Sequence, residues 1–293
     1  MPNAAFKQVD VFTDRAFRGN PVAVVLDGEG LADEDMRRIA NWTNLSETTF
    51  VLPPTQPGAD YRVRIFTPQA ELPFAGHPTL GTAHALMEAG RITPANGRLV
   101  QECAAGLIEL TVAAASDAPP VIAFKLPPAS LVPLSAAQTE EMESILGAPV
   151  LRTPAPKLVN VGPVWTIAQM PNAEAVLALR PDHARMAAFD KRNRSAGIVV
   201  YGAHASGGPA AMEVRAFAPS LGVNEDPVCG SGNGSVAAFI RDADQVQTFG
   251  TRYVCTQGAA VGRAGRLTVF FEGEDVIRVG GSSVTCIDGT ITV

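Results

Sequence analysis

Tyr61-Arg-Val-Arg-Ile-Phe-Thr-Pro68, leading into Phe74-Ala-Gly-His-Pro-Thr-Leu-Gly-Thr-Ala83, has a near copy further along the chain. The copy is Met212-Glu-Val-Arg-Ala-Phe-Ala-Pro219, leading into Asp226-Pro-Val-Cys-Gly-Ser-Gly-Asn-Gly-Ser235. Arg64, Phe66 and Pro68 recur as Arg215, Phe217 and Pro219, a shift of 151. Further on, Gly81 and Gly234 are 153 apart, so the second copy carries a short insertion. A strand followed by a glycine-rich start to a helix, used twice, predicts two pseudo-symmetric domains. Each is expected to aim a helix N-terminus at a cleft between them. Helix N-termini carry unpaired N–H groups and partial positive charge, so two of them suit a small anion.

The rest of the chain gives the class of each half. Strands are expected at 6–12, 21–26, 47–52 and 61–66, a helix starting near Ala32, and a hairpin at 99–103 and 107–112. The second half shows the same mixture, and the tail from residue 252 is nearly all strand. There is no long strand–helix alternation, so a doubly wound parallel sheet is excluded and an α+β fold is expected. The helices predicted at 79–89 and 234–241 are small and apolar on most faces, which places each inside a sheet wrapped around it. The small, proline-containing stretch 113–120 is the expected linker. The domains are therefore set at 1–116, with 281–293 returning to it, and 117–280.

Length and composition narrow the function. The chain has 293 residues, enough for two cores. It carries 23 basic and 29 acidic residues, a net charge of −6, with no basic cluster. That argues against nucleic acid or an anionic membrane as partner. No apolar run reaches the ~18 residues of a spanning helix. The start lacks a basic-then-apolar leader pattern, and the four cysteines show no Cys-x-x-Cys pair. They are expected to be reduced thiols of a cytoplasmic protein, all but Cys229 structural. His84 is expected in the core, and His183 and His204 on the surface. Four scattered histidines give no metal-binding spacing, and no metal is expected.

Several residues combine chemistry with position. Glu47, in Asn44-Leu-Ser-Glu-Thr-Thr-Phe50, is a carboxyl beside apolar neighbours. Desolvation would raise its pKa towards that of a proton carrier at neutral pH; the plainer reading is a strand-end acid. His77 projects from a backbone fixed by Pro78 at a helix mouth; the plainer reading is a loop histidine. Asp226 either caps the second glycine-rich loop or binds substrate. Gly230, Ser231 and Gly232 offer unobstructed N–H groups, without the following Gly-Lys-Ser/Thr of a nucleotide loop. Cys229 is expected at the helix start, where the dipole would favour its thiolate.

Asn20-Pro-Val-Ala-Val-Val, Ser46-Glu-Thr-Thr-Phe, Gly76-His-Pro-Thr-Leu-Gly-Thr and Glu225-Asp-Pro-Val-Cys-Gly-Ser together resemble the PhzF family, in order and spacing from about residue 6 to the C-terminus. The resemblance implies a diaminopimelate-epimerase-like fold and cofactor-independent proton transfer on a small carboxylate. Its best-known member isomerises 2,3-dihydro-3-hydroxyanthranilate. Glu47 matches the family's acid/base. His77, Asp226 and Ser231 match its other catalytic residues, and Ser46, Gly76, Cys229, Gly230 and Gly232 its substrate-binding loops. A homodimer is also implied.

One position departs from the pattern: Cys229 stands where the phenazine enzyme has threonine. Related epimerases carry a catalytic cysteine on each loop, and the shift of 153 pairs Cys229 with Gly76. The alternatives are a two-base amino- or hydroxy-acid racemase using Glu47 and Cys229, or a non-catalytic carboxylate-binding protein on the same scaffold.

Overall fold

The computed structural model describes residues 3–113 and 119–293. The expected boundary at 116/117, and most of the expected linker, lie outside the described residues. Chain contacts group Met1–Lys125 with Gly280–Val293 as one unit and Leu126–Val279 as a second.

In the first unit the strand Asn3–Val11 lies between two antiparallel neighbours, Asn20–Val25 and Ser283–Thr292. Asn20–Val25 continues through the helix Asp33–Thr43 into the strand Glu47–Leu52, which lies parallel to it. Tyr61–Phe66 runs antiparallel beside that strand and parallel to Arg98–Cys103. Gly106–Ala113 and Val121–Lys125 complete the antiparallel run. The helix Gly76–Glu88 packs on strands from both ends of this order, and nine of its thirteen residues are buried. Gly81 lets it close in: a Cβ there would lie 2.4 Å from Val22 Cγ1 and 2.9 Å from Val11 Cγ2.

The second unit repeats the plan. Val164–Gln169 is parallel to Gly197–Ala203, with the helices Ala173–Ala178 and His183–Asn193 between them. Met212–Ala218 is antiparallel to Gly197–Ala203 and parallel to Arg252–Gln257, which pairs with Gly265–Glu272. The central helix Gly230–Asp242 buries ten of its thirteen residues. The repeat holds to the register. Tyr61 pairs with Gln101 in one unit, and Met212 with Cys255 in the other. Arg64 forks onto Glu71 and lies over Phe66, as Arg215 forks onto Glu225 and lies over Phe217.

Two expectations are corrected. The central helices begin at Gly76 and Gly230, three to four residues before the expected starts. The first turn of a helix needs no intrahelical N–H acceptors, so Gly-His-Pro and Gly-Ser-Gly fit inside it. The two helices are therefore 154 residues apart, not 153. The strands that follow, Arg98–Cys103 and Arg252–Gln257, keep the same 154, which places the three-residue insertion between Pro68/Pro219 and the helices. His204 is not a surface residue: its side chain is 12% exposed, and its Nε2 lies 2.9 Å from Thr256 Oγ1. His84, as expected, is largely buried, with Nε2 3.2 Å from Thr285 Oγ1.

Candidate active site

The first unit carries Ser46, Glu47, Gly76 and His77. The helix Asp33–Thr43 ends on Asn44, whose left-handed backbone (φ 54°) turns the chain back into the strand. Glu47 is therefore the first strand residue, beside fully buried Thr48 and Thr49. The start of Gly76–Glu88 brings up His77, buried at 7% exposure, and its Nε2 lies 3.3 Å from Glu47 Oε2. That oxygen accepts no hydrogen bond among the described residues. Burial pushes the Glu47 carboxyl up to about 7, against a small downward pull from the Ser46 hydroxyl. A carboxyl tuned there is populated in both protonation states at neutral pH, as a proton-carrying group requires.

The second unit carries Asp226, Cys229, Gly230, Ser231 and Gly232. Asp226 ends the strand Val223–Asp226, and its Oδ1 accepts from the Val228 N–H (3.0 Å), tightening the turn. Cys229 is the N-cap of Gly230–Asp242: its Sγ accepts from the Gly232 N–H at 3.2 Å. The Asn233 N–H is taken by the Cys229 carbonyl, which leaves Gly230 and Ser231 as the first-turn donors. In the first unit the third helical residue is Pro78, which has no N–H, so Gly76 and His77 hold the same two positions. Ser231 Oγ accepts from Trp165 Nε1 at 3.1 Å and lies 3.7 Å from Cys229 Sγ.

The two helix starts differ in what they can do. With the helices 154 apart, Ser231 corresponds to His77 and Cys229 to Ala75, not to Gly76. Strand pairing places Gly197 opposite Trp165 as Glu47 lies opposite Val22. A Cβ at Gly197 would fall 1.8 Å from the Phe217 carbonyl oxygen, so no side chain fits there. The second half therefore has no counterpart of Glu47. The Cys229 thiol also departs from expectation. Burial pushes its pKa well up, and the Asp226 carboxylate adds to the shift. At 4% exposure, loss of solvent outweighs the helix dipole, so the group is a neutral thiol.

Trp165 was not foreseen as a site residue. In sequence it reads as one more apolar position of a buried strand, and only the fold aims its indole N–H at Ser231. Among the described residues no cluster of three or more His, Cys, Asp or Glu side chains could hold a metal ion. Among the same residues no helix is long and apolar enough to cross a membrane.

A sheet-wrapped helix in each unit, opening on a donor-rich start, with the Glu47 carboxyl tuned near 7 beside the first of them, fits the class: an isomerase on the diaminopimelate-epimerase-like fold. The chain belongs to the phenazine biosynthesis-like (PhzC-PhzF) family, whose model matches residues 9–289. It is 42% identical, over 99% of both chains, to antisense-enhancing sequence 1 of Schizosaccharomyces pombe. It is 34% identical to the trans-2,3-dihydro-3-hydroxyanthranilate isomerase of Pseudomonas chlororaphis, covering 97% of this chain and 98% of that one. The crystal structure of a Bacillus anthracis PhzF-family protein superposes over all of both chains with a TM-score of 0.87 at 25% identity. A probable proline racemase of Agrobacterium radiobacter shares the fold, with a TM-score of 0.65 at 14% identity over 99% of this chain and 92% of that one.

Proposed function

We propose that the chain is a cofactor-independent isomerase that moves a carbon-bound proton on a small unsaturated carboxylate, with Glu47 as the acid/base. The observation that carries this reading is Glu47 itself: largely desolvated, its side chain 16% exposed, poised near pH 7, and with one oxygen accepting no hydrogen bond among the described residues. Such a carboxylate takes a proton from one carbon and, now neutral, returns it to another without an external acid.

In this reading His77, at 3.3 Å, steadies the charge on Glu47 as the proton comes and goes. The Gly230 and Ser231 N–H groups and the Ser231 hydroxyl hold the substrate carboxylate. They also stabilise the enolate-like charge that develops when the neighbouring C–H bond breaks; one such donor typically contributes ~10²–10³ in rate. Asp226 binds a polar substituent of the same substrate. The glutamate–cysteine racemase reading loses support, because a thiol held well above its ordinary pKa is a poor second base.

The identity with Pseudomonas isomerases makes trans-2,3-dihydro-3-hydroxyanthranilate the first substrate to try. The test is its turnover, followed by ultraviolet absorbance, in wild type and Glu47→Gln. The variant keeps the shape but cannot carry the proton, so activity should fall by ~10²–10⁴-fold. A variant keeping more than about a tenth of the rate would place the base elsewhere.

A further inference from the structure

The turn that presents Gly230 and Ser231 is held from behind by a side-chain amide outside every motif read in the sequence. Gln257, at the end of Arg252–Gln257, is 1% exposed. Its Oε1 accepts from the Cys229 N–H at 3.1 Å and from Asn233 Nδ2 at 2.8 Å. Its Nε2 donates to the Asp226 carbonyl at 2.9 Å. One amide therefore ties the residue where the turn begins to the residue that caps the helix. Asn233, also 1% exposed, donates in addition to the Cys229 carbonyl (2.9 Å), and its Oδ1 accepts from the Cys255 thiol (2.8 Å).

We propose that Gln257 is a positioning residue: it fixes the Asp226–Cys229 turn so that the Gly230 and Ser231 N–H groups point at the substrate carboxylate. This rests on the functional reading above for what the loop binds, but not for the clamp itself. By consuming the Cys229 N–H, Gln257 removes a neighbouring donor that would compete for the anion. By holding the Asp226 carbonyl it keeps that acceptor turned away from the anion. In the first unit the chain before the helix is tied to the hairpin by backbone, the Ala105 N–H bonding to the Pro73 carbonyl at 3.1 Å. There the hairpin turn is two residues, Ala104 and Ala105. In the second unit the turn 258–264 is longer, and a side chain at the strand's end, Gln257, holds the chain before the helix.

The test compares amide-exchange protection in the wild type, Gln257→Met and Gln257→Glu, residue by residue. Gln257→Met keeps the volume and removes all three bonds. Protection of the Cys229, Gly232 and Asn233 amides should fall about tenfold or more, while Val236–Ile240 in the same helix stays within about threefold. Plain destabilisation would move both sets together and would overturn the proposal, as would unchanged loop protection. Gln257→Glu supplies a readout that does not depend on how well the methionine variant folds. A protonated carboxyl accepts at one oxygen and donates at the other, so it reproduces the amide; an ionised one cannot donate to the Asp226 carbonyl. Loop protection should be near wild type at pH 5.5 and fall about tenfold by pH 8. The same protection at both pH values would refute the clamp. Turnover of trans-2,3-dihydro-3-hydroxyanthranilate is measured separately. A wild type that is inactive on it sinks that substrate assignment and leaves the exchange result to decide the clamp. With an active wild type, KM should rise more than kcat falls, and an unchanged KM would break the link to substrate binding.

Discussion

Glu47 makes a stability prediction that is separate from catalysis. Its carboxyl titrates near 7 in the folded chain and near 4.5 when unfolded. Between those values the folded state binds the extra proton, so stability falls as pH rises through the window. Below about pH 4.5 both states are protonated and the group contributes nothing; above about pH 7 the full cost of a buried charge is present. Glu47→Gln carries no such cost. The variant should match wild type in stability at about pH 4 and exceed it by about 1–3 kcal/mol at pH 8, measured by urea unfolding. Equal stability at both pH values would mean that the carboxyl is not desolvated. The residue was legible in sequence because a lone acid stood among apolar neighbours. His77 was legible from the fixed Gly-His-Pro backbone. Trp165 and Gln257 were not: each sits in an ordinary strand, and only the parallel crossings that bring residues 32 and 43 positions apart into register aim them at the loop.

At the scale of elements, the two helix starts decide what Cys229 does. As an N-cap it needs only to accept the Gly232 N–H, which a serine hydroxyl does at least as well. Cys229→Ser should therefore keep the helix start and stay within about threefold of wild-type turnover. A loss beyond about a hundredfold, with the circular dichroism spectrum unchanged, would restore the thiol as a working acid/base and with it the racemase reading. The repeat itself was visible in sequence through Arg64/Arg215 and Phe66/Phe217, because both pairs are held by the same fork onto a carboxylate. Its register was not. Gly81 and Gly234 match by type yet lie one position apart in the two helices. Each is a glycine for its own reason: Gly81 presses on Val22 and Val11, Gly234 on Leu126. A shared residue type marks a shared packing need, and equivalence has to come from backbone pairing.

For the chain as a whole, the C-terminal strand is the element on which the first unit depends most. Ser283–Thr292 pairs along the full length of Asn3–Val11, with a register shift between Gln8 and Val9. Ile291 and Val293 pack on the cluster that includes Met36, Phe50 and Phe66. Lys7, 4% exposed, is bonded to Asp288 at 2.7 Å and Glu88 at 2.8 Å. Burial alone would pull its ammonium pKa down, but the hydrogen bonds and charges of the two carboxylates hold it above its ordinary value. A chain ending at Ser282 loses the Asp288 carboxylate and Thr285, which bonds Glu88 at 2.6 Å. It also leaves Asn3–Val11 as an unpaired edge beside a buried cation. Unpaired edges template association, and a buried charge stripped of a partner costs several kcal/mol. The truncated chain should therefore aggregate or melt well below the intact one, by more than about 10 °C given the ~2–4 °C shift expected per kcal/mol at this size. Differential scanning calorimetry with size-exclusion chromatography decides it. A soluble truncated chain melting within about 5 °C of the intact protein would show that the first unit folds without its returning strand.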